Sequence, residues 1–245
     1  MTNINEKVFS DLDKLSSYAA NFIVDLVTKN INENGYFTFV LAGGSTPKKL
    51  YELLGSRNYT KLIDWEKVYF FFGDERLVPK SDIVSNFNMV HTALFSKINI
   101  QPSQIFSPQT DLLSEETIAL SYEGKIRRFF KNKPIKFDLT LLGLGSDGHT
   151  ASLFPGNKLL KEKNRLVVST KPGVLPPNVD RVTFTLPLIN NSKVVLFLVT
   201  GGDKSEALKL AQNNKSVPAG LVHPSSGQLL WFVDGAAKGI KSRNG

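Results

Sequence analysis

The stretch Tyr36-Phe37-Thr38-Phe39-Val40-Leu41-Ala42-Gly43-Gly44-Ser45-Thr46-Pro47-Lys48-Lys49-Leu50-Tyr51-Glu52-Leu53-Leu54 carries a complete fold unit. Its first six residues are uncharged, aromatic and β-branched, which predicts a buried strand. Two glycines then let the backbone turn tightly. Thr46 is the expected N-cap and Pro47 the expected first residue of a helix running to Leu54. A helix N-terminus with free N–H groups and nearby hydroxyls attracts anions. The same residues also read as a plain strand-to-helix turn. The Gly-Lys-Ser/Thr ending of a nucleotide-binding P-loop is missing.

Working outward, the pattern repeats. Apolar residues at Val8, Leu12, Leu15, Ala19, Phe22, Ile23, Leu26 and Val27 step by three and four, predicting a helix over 7–30 that Gly35 ends. Strand-like runs follow at Val68–Phe72, Phe137–Leu142, Leu166–Ser169, Val182–Leu186, Val194–Thr200 and Leu229–Val233. Helical patterns lie between several of them, at Lys48–Leu54, Asn86–Phe95, Glu115–Phe130 and Lys204–Ala211. Strands alternating with helices predict an α/β fold, an open and mostly parallel sheet with helices on both faces. There is no internal repeat, low-complexity segment or linker, so one domain over 1–245 is expected. In such sheets ligands bind beyond the carboxyl ends of the strands. Four strands run straight into loops rich in glycine and charge, the first being Gly43–Pro47.

The second loop is Gly73-Asp74-Glu75-Arg76-Leu77-Val78-Pro79, with Asn86 where the next helix begins. Alone it reads as a solvated, locally ion-paired turn. The third is Gly143-Leu144-Gly145-Ser146-Asp147-Gly148-His149-Thr150. It contains G-x-G-x-x-G, but Pro155-Gly156 cuts short the helix a dinucleotide site needs, and no acidic ribose partner ends a strand about 20 residues on. Ser146 lacks the flanks of a nucleophile elbow. His149 follows these glycines beside Asp147, where a proton carrier is useful, and imidazole suits acid–base work near neutrality. His91 and His223 read as structural. The fourth loop, Gly201-Gly202-Asp203-Lys204, puts a cation in a helix's first turn, which the dipole disfavours unless an anion sits nearby.

Composition bounds the rest. The 245 residues are 41% hydrophobic and 21% charged, with no cysteine and a net charge of +8. Disulfides, thiol chemistry and cysteine-ligated metals are excluded, and three dispersed histidines predict no metal cluster. Met1–Asp13 lacks the apolar core of a signal peptide, and the longest apolar run, Val194–Val199, is too short to span a bilayer. A cytoplasmic location and no membrane partner are expected. The positive charge favours anionic partners. Its densest groupings, at 125–136 and 158–165, lack the interleaved aromatics of a single-strand binder, so no nucleic-acid partner is expected.

Taken together and in this order, the loops resemble the 6-phosphogluconolactonase family over nearly the whole chain. The resemblance rests on Ala42–Pro47, on Gly73–Arg76 with Val78-Pro79 and Ser85-Asn86, and above all on Asp147–Gly156. Arg181-Val182-Thr183 with Leu186-Pro187, and Gly201 with Lys204 and Ala207-Leu208, complete it. It implies a Rossmann-like sheet similar to that of glucosamine-6-phosphate deaminases. It implies hydrolysis of 6-phospho-D-glucono-1,5-lactone to 6-phosphogluconate in the oxidative pentose phosphate pathway, without metal or organic cofactor. A phosphorylated sugar lactone is then the expected small-molecule partner, and a monomer or weak homo-oligomer the expected state. The lactone comes from the resemblance alone.

On that reading His149 is the general base activating water. Asp147 or Asp74 orients it or polarises the water, and the residues leave that choice open. The phosphate rests on Gly43, Gly44, Ser45 and Thr46, with Asn86 nearby and Arg76, Arg181 and Lys204 supplying charge. Backbone N–H groups of 143–148 can face an oxyanion. The rival reading is a glucosamine-6-phosphate deaminase. Those enzymes resemble Asp147-Gly148-His149 but continue to a Glu before the proline, where this chain has Phe154, and resemble Asp-Glu-Tyr where it has Asp74-Glu75-Arg76.

Overall fold

The structure, a computed structural model, describes residues 5–111, 114–131, 133–213 and 216–240. The chain enters the fold as a strand, correcting the helix expected from Lys7. Strand β1 (Asn5–Phe9) precedes helix α1 (Leu12–Asn34). Asp11 caps α1 by accepting the Lys14 N–H at 2.8 Å, and Gly35 at φ 83° closes it with an N–H to the Ile31 carbonyl. Val8 therefore extends no helical stripe. It lies on a half-exposed edge strand whose backbone is held by sheet pairing.

The sequence-predicted units follow. They are β2 (Phe37–Leu41), α2 (Ser45–Leu54) and β3 (Val68–Phe72), with a short unexpected helix α3 (Arg57–Thr60) between the last two. Next come β4 (Asp74–Arg76), α4 (Asn86–Ala93), the two-residue β5 (Ile105–Phe106), α5 (Glu115–Phe130) and β6 (Leu139–Leu142). The remainder is β7 (Val167–Thr170), β8 (Arg181–Phe184), α6 (Leu186–Asn190), β9 (Val194–Val199), α7 (Ser205–Asn213) and β10 (Gln228–Asp234).

Seven strands form one sheet in the order β1-β10-β9-β6-β2-β3-β5, every neighbour parallel. Both faces are covered, as parallel sheets require. Side chains alternate along each strand. Phe37, Phe39 and Leu41 of β2 enter one core with α1, α2 and α4, while Val40 enters the other with α5, α6 and α7. Burial on both faces explains why β9 is apolar throughout and why Thr38 of β2 and Thr140 of β6 are hydrogen-bonded, to Asp138 and Ser192.

Two expected members of that sheet lie elsewhere. β7 and β8 pair antiparallel with each other, and β8 with β4, in a separate three-stranded sheet. A parallel crossover needs a dozen or more residues, usually a helix. The 171–180 connection has Pro172, Gly173, Pro176 and Pro177 and forms none. Asp74-Glu75-Arg76, expected as a turn, is a strand of this sheet.

Candidate active site

The chain runs outward from β2 through β3 to β5, then returns to β6 and runs the other way through β9 to β10. The reversal lies between β2 and β6. Open α/β sheets bind ligands in the crevice at such a switch point. A cavity of about 280 Å³ occupies it.

Its floor is the start of α2. The helix begins two residues earlier than expected, because Gly44 takes the cap position at φ 103°, a conformation open to glycine. Ser45 and Thr46 thus occupy the first turn and Pro47 its third position, where the missing N–H costs no helical bond. Gly43, Gly44, Ser45 and Thr46 all line the cavity. Thr46 Oγ1 lies 2.6 Å from Thr200 Oγ1, tying this loop to the one after β9.

Buried tyrosines hold two strand ends. The Tyr51 hydroxyl accepts the Ala42 N–H and donates to the Ala42 carbonyl, both at 3.0 Å. Tyr122 does the same for Phe72, at 2.8 and 3.0 Å. Burial pushes both phenols far above their ordinary pKa, so each stays a neutral donor and acceptor.

Beyond Phe72 the chain leaves the large sheet at Gly73 and enters β4, carrying Asp74 and Arg76 to the cavity wall. The intervening Glu75 points away and is buried. Its oxygens accept the N–H groups of Asn86 at 2.8 Å and Phe87 at 2.7 Å, at the start of α4. Burial pushes its carboxyl up to about 7 despite these donors. Asp74 accepts the Ser152 hydroxyl at 2.6 Å.

Gly145 has no side chain because His149 needs the space: a Cβ there would fall 2.0 Å from His149 Nδ1. That nitrogen lies 2.6 Å from Asp147 Oδ1, and the His149 backbone N–H donates to the same oxygen at 3.0 Å. The Nδ1 edge of the ring is thus taken, leaving Nε2 for the cavity. Ala151, also on the wall, holds φ 49°, a left-handed conformation costing a non-glycine residue on the order of 1–2 kcal/mol.

Arg76 and Arg181 stand side by side on β4 and β8. Arg76 Nη1 donates to the Val84 carbonyl at 2.6 Å, and Arg181 Nη2 to the Pro177 carbonyl at 2.9 Å. The Nε of each is buried without a partner. Burial lowers the Arg181 pKa, Asp74 opposes this, and Arg76 adds to it. Across the cavity Lys204 is paired with Asp203 at 2.8 Å, and the Gly201 N–H donates to Asp234. A buried Arg181, a half-buried Arg76, an open helix N-terminus and a lysine make a pocket for an anion. The histidine stands on its wall.

Residues 10–231 match the family model described as glucosamine-6-phosphate isomerases/6-phosphogluconolactonase. The chain belongs to this family. It is 38% identical to the probable 6-phosphogluconolactonase 1 of Arabidopsis thaliana, over 93% of this chain and 90% of that protein. The chloroplastic 6-phosphogluconolactonase 3 of the same plant is 39% identical, over 88% of this chain and 68% of that protein. The solved 6-phosphogluconolactonase of Trypanosoma cruzi superposes with a TM-score of 0.88 at 29% identity, covering 98% of this chain and 97% of that one. A monomeric glucosamine-6-phosphate deaminase superposes with a TM-score of 0.82 at 22% identity and shares the fold.

Within this family fold, Gly43, Gly44, Ser45, Thr46, Asp74, Arg76, His149, Arg181 and Lys204 converge on one cavity. Asp147 stands behind His149. Asn86 lies beneath the wall: its amide donates to the Asp74 carbonyl at 2.9 Å, and a Cβ at Gly43 would fall 2.0 Å from its Oδ1. Leu175 and Pro176 also line the cavity and escaped sequence reasoning, since apolar loop residues carry no chemical signal. No helix among the described residues is long and apolar enough to cross a membrane.

Proposed function

We propose that the cavity hydrolyses 6-phospho-D-glucono-1,5-lactone to 6-phosphogluconate. The observation that carries this reading is that His149, with Asp147 on its Nδ1, lines the same cavity as the paired Arg76 and Arg181. The phosphate sits against the start of α2, the arginines and Lys204. The lactone carbonyl then lies by His149. Nδ1–H donates to Asp147, so Nε2 accepts a proton from water as its oxygen attacks C1. The bond from C1 to the ring oxygen breaks, the proton passes from Nε2 to that oxygen, and a hydroxy acid leaves. Asp74, engaged by Ser152 and lying toward Arg181, balances charge there and leaves the orienting role to Asp147.

The names of the relatives support the substrate, and the anion pocket supports its phosphorylated form. The test is direct. Purified protein receives freshly made lactone, and a coupled dehydrogenase reads 6-phosphogluconate. Production no faster than spontaneous hydrolysis overturns the reading.

A further inference from the structure

Phe154 is a buried ring that touches three parts of the site. Its centroid lies 5.2 Å from that of His149, with the planes at 54°. The Arg181 guanidinium carbon stands 5.4 Å from the same centroid. Gly173 also lies against the ring: a Cβ there would fall 2.4 Å from Phe154 Cδ1. The backbone at 173 therefore rides on the ring. The segment continues through Leu175 and Pro176 on the cavity wall to Pro177, whose carbonyl accepts Arg181 Nη2 at 2.9 Å.

These contacts close a circuit from Phe154 to Arg181 to Pro177 and back through Gly173, with His149 packed against the shared ring. Asp147 holds the Nδ1 edge of the imidazole, and the Phe154 ring lies against the imidazole. Arg181 has an unpartnered Nε and a single carbonyl on Nη2. An aromatic face attracts a guanidinium most strongly where water is excluded, and both groups are buried. We infer that Phe154 is a positioning residue that sets His149 and Arg181 relative to each other and seats the 173–177 wall of the cavity. The inference rests on the reading of His149 as proton carrier and Arg181 as anion contact.

The test uses the full chain with Gly173→Ala, whose added methyl meets the Phe154 ring first, and Phe154→Leu, which keeps an apolar filler. In Gly173→Ala the ring resonances of His149 and the Nε–H resonance of Arg181 should both shift by NMR. In either variant kcat for the lactone should fall at least tenfold and the Kd for inorganic phosphate rise at least fivefold, measured well below the variant's melting temperature. A filler role alone lowers the melting temperature and leaves kcat and Kd within twofold, which overturns the inference. A shift confined to one of the two side chains also overturns it. If Phe154→Leu does not fold, Gly173→Ala decides. A wild type that neither hydrolyses the lactone nor binds phosphate removes the functional reading, while the resonances of Gly173→Ala still decide the coupling.

Discussion

Arg76 on β4 and Arg181 on β8 are Cα partners, opposite each other across one antiparallel rung. Like charges directly opposite on a sheet are destabilising, and here Arg181 is buried and Arg76 half-buried. Asp74 offsets part of this charge, and an anion in the cavity would offset more. Losing one charge-assisted contact should cost on the order of 1.5–3 kcal/mol of binding. Arg76→Ala, Arg181→Ala and Lys204→Ala should each raise KM for the phosphorylated lactone by about 10-fold or more and change KM for unphosphorylated gluconolactone little. Steady-state kinetics on the two substrates checks this, and equal losses on both would show that these side chains do not read the phosphate.

His149 and Asp147 should separate in kinetics. A positioned general base typically contributes about 10²–10⁴-fold. His149→Ala should lose kcat in that range with an unchanged circular dichroism spectrum and little change in KM. Asp147→Ala should lose less, because the imidazole remains but no longer has Nδ1 fixed. Near-normal turnover in His149→Ala removes it from the chemistry.

Glu75 makes stability depend on pH. Its carboxyl rises from an ordinary 4.5 to about 7 in the folded chain. The folded state therefore holds this proton more tightly than the unfolded state. The contribution is fully present below about pH 4.5 and is lost as pH rises through about 7, amounting to about 3 kcal/mol. Glu75→Gln carries no titrating proton. Its stability relative to wild type, from urea melts at pH 5, 6, 7 and 8, should climb across that range. A constant difference would mean that Glu75 titrates alike in both states.

Phe154 occupies the position where the deaminases that this chain resembles carry a glutamate. A phenyl ring cannot accept a hydrogen bond from imidazole or move a proton, so opening an amino-sugar ring lacks that helper. Glucosamine 6-phosphate should release no ammonia above background under conditions where the lactone is consumed. Release at a comparable rate would make the chain a deaminase.

Elements with local signals were legible in the sequence. Helix α5 has the bounds expected from its pattern, and its local signals agree: Ser114 caps it, Glu115 and Glu116 open it, and Arg127 and Arg128 close it. The aromatic run of β3 was equally clear. Elements made by tertiary partners were not. Asp74-Glu75-Arg76 has the composition of a turn. It is a strand because β8 pairs with it and the first N–H groups of α4 satisfy Glu75. Edge strand β1 was lost into the neighbouring helical pattern, since β10, more than two hundred residues away, supplies its partner. The same limit applied at the site. The four loop segments could be named, but the choice between Asp147 and Asp74 beside His149 turns on a 2.6 Å contact that spacing does not encode.

Tyr51 and Tyr122 each offer a hydroxyl to both the N–H and the C=O of one strand-terminal residue, Ala42 and Phe72. Each phenol acts as a surrogate strand, extending the ladder one rung past the point where real neighbours diverge. The loops that follow therefore start from anchored backbone. Substitution within the loops can alter what the crevice holds without loosening the sheet behind it. A change at either tyrosine, remote from any ligand, would shift the origin from which the adjoining loop is built.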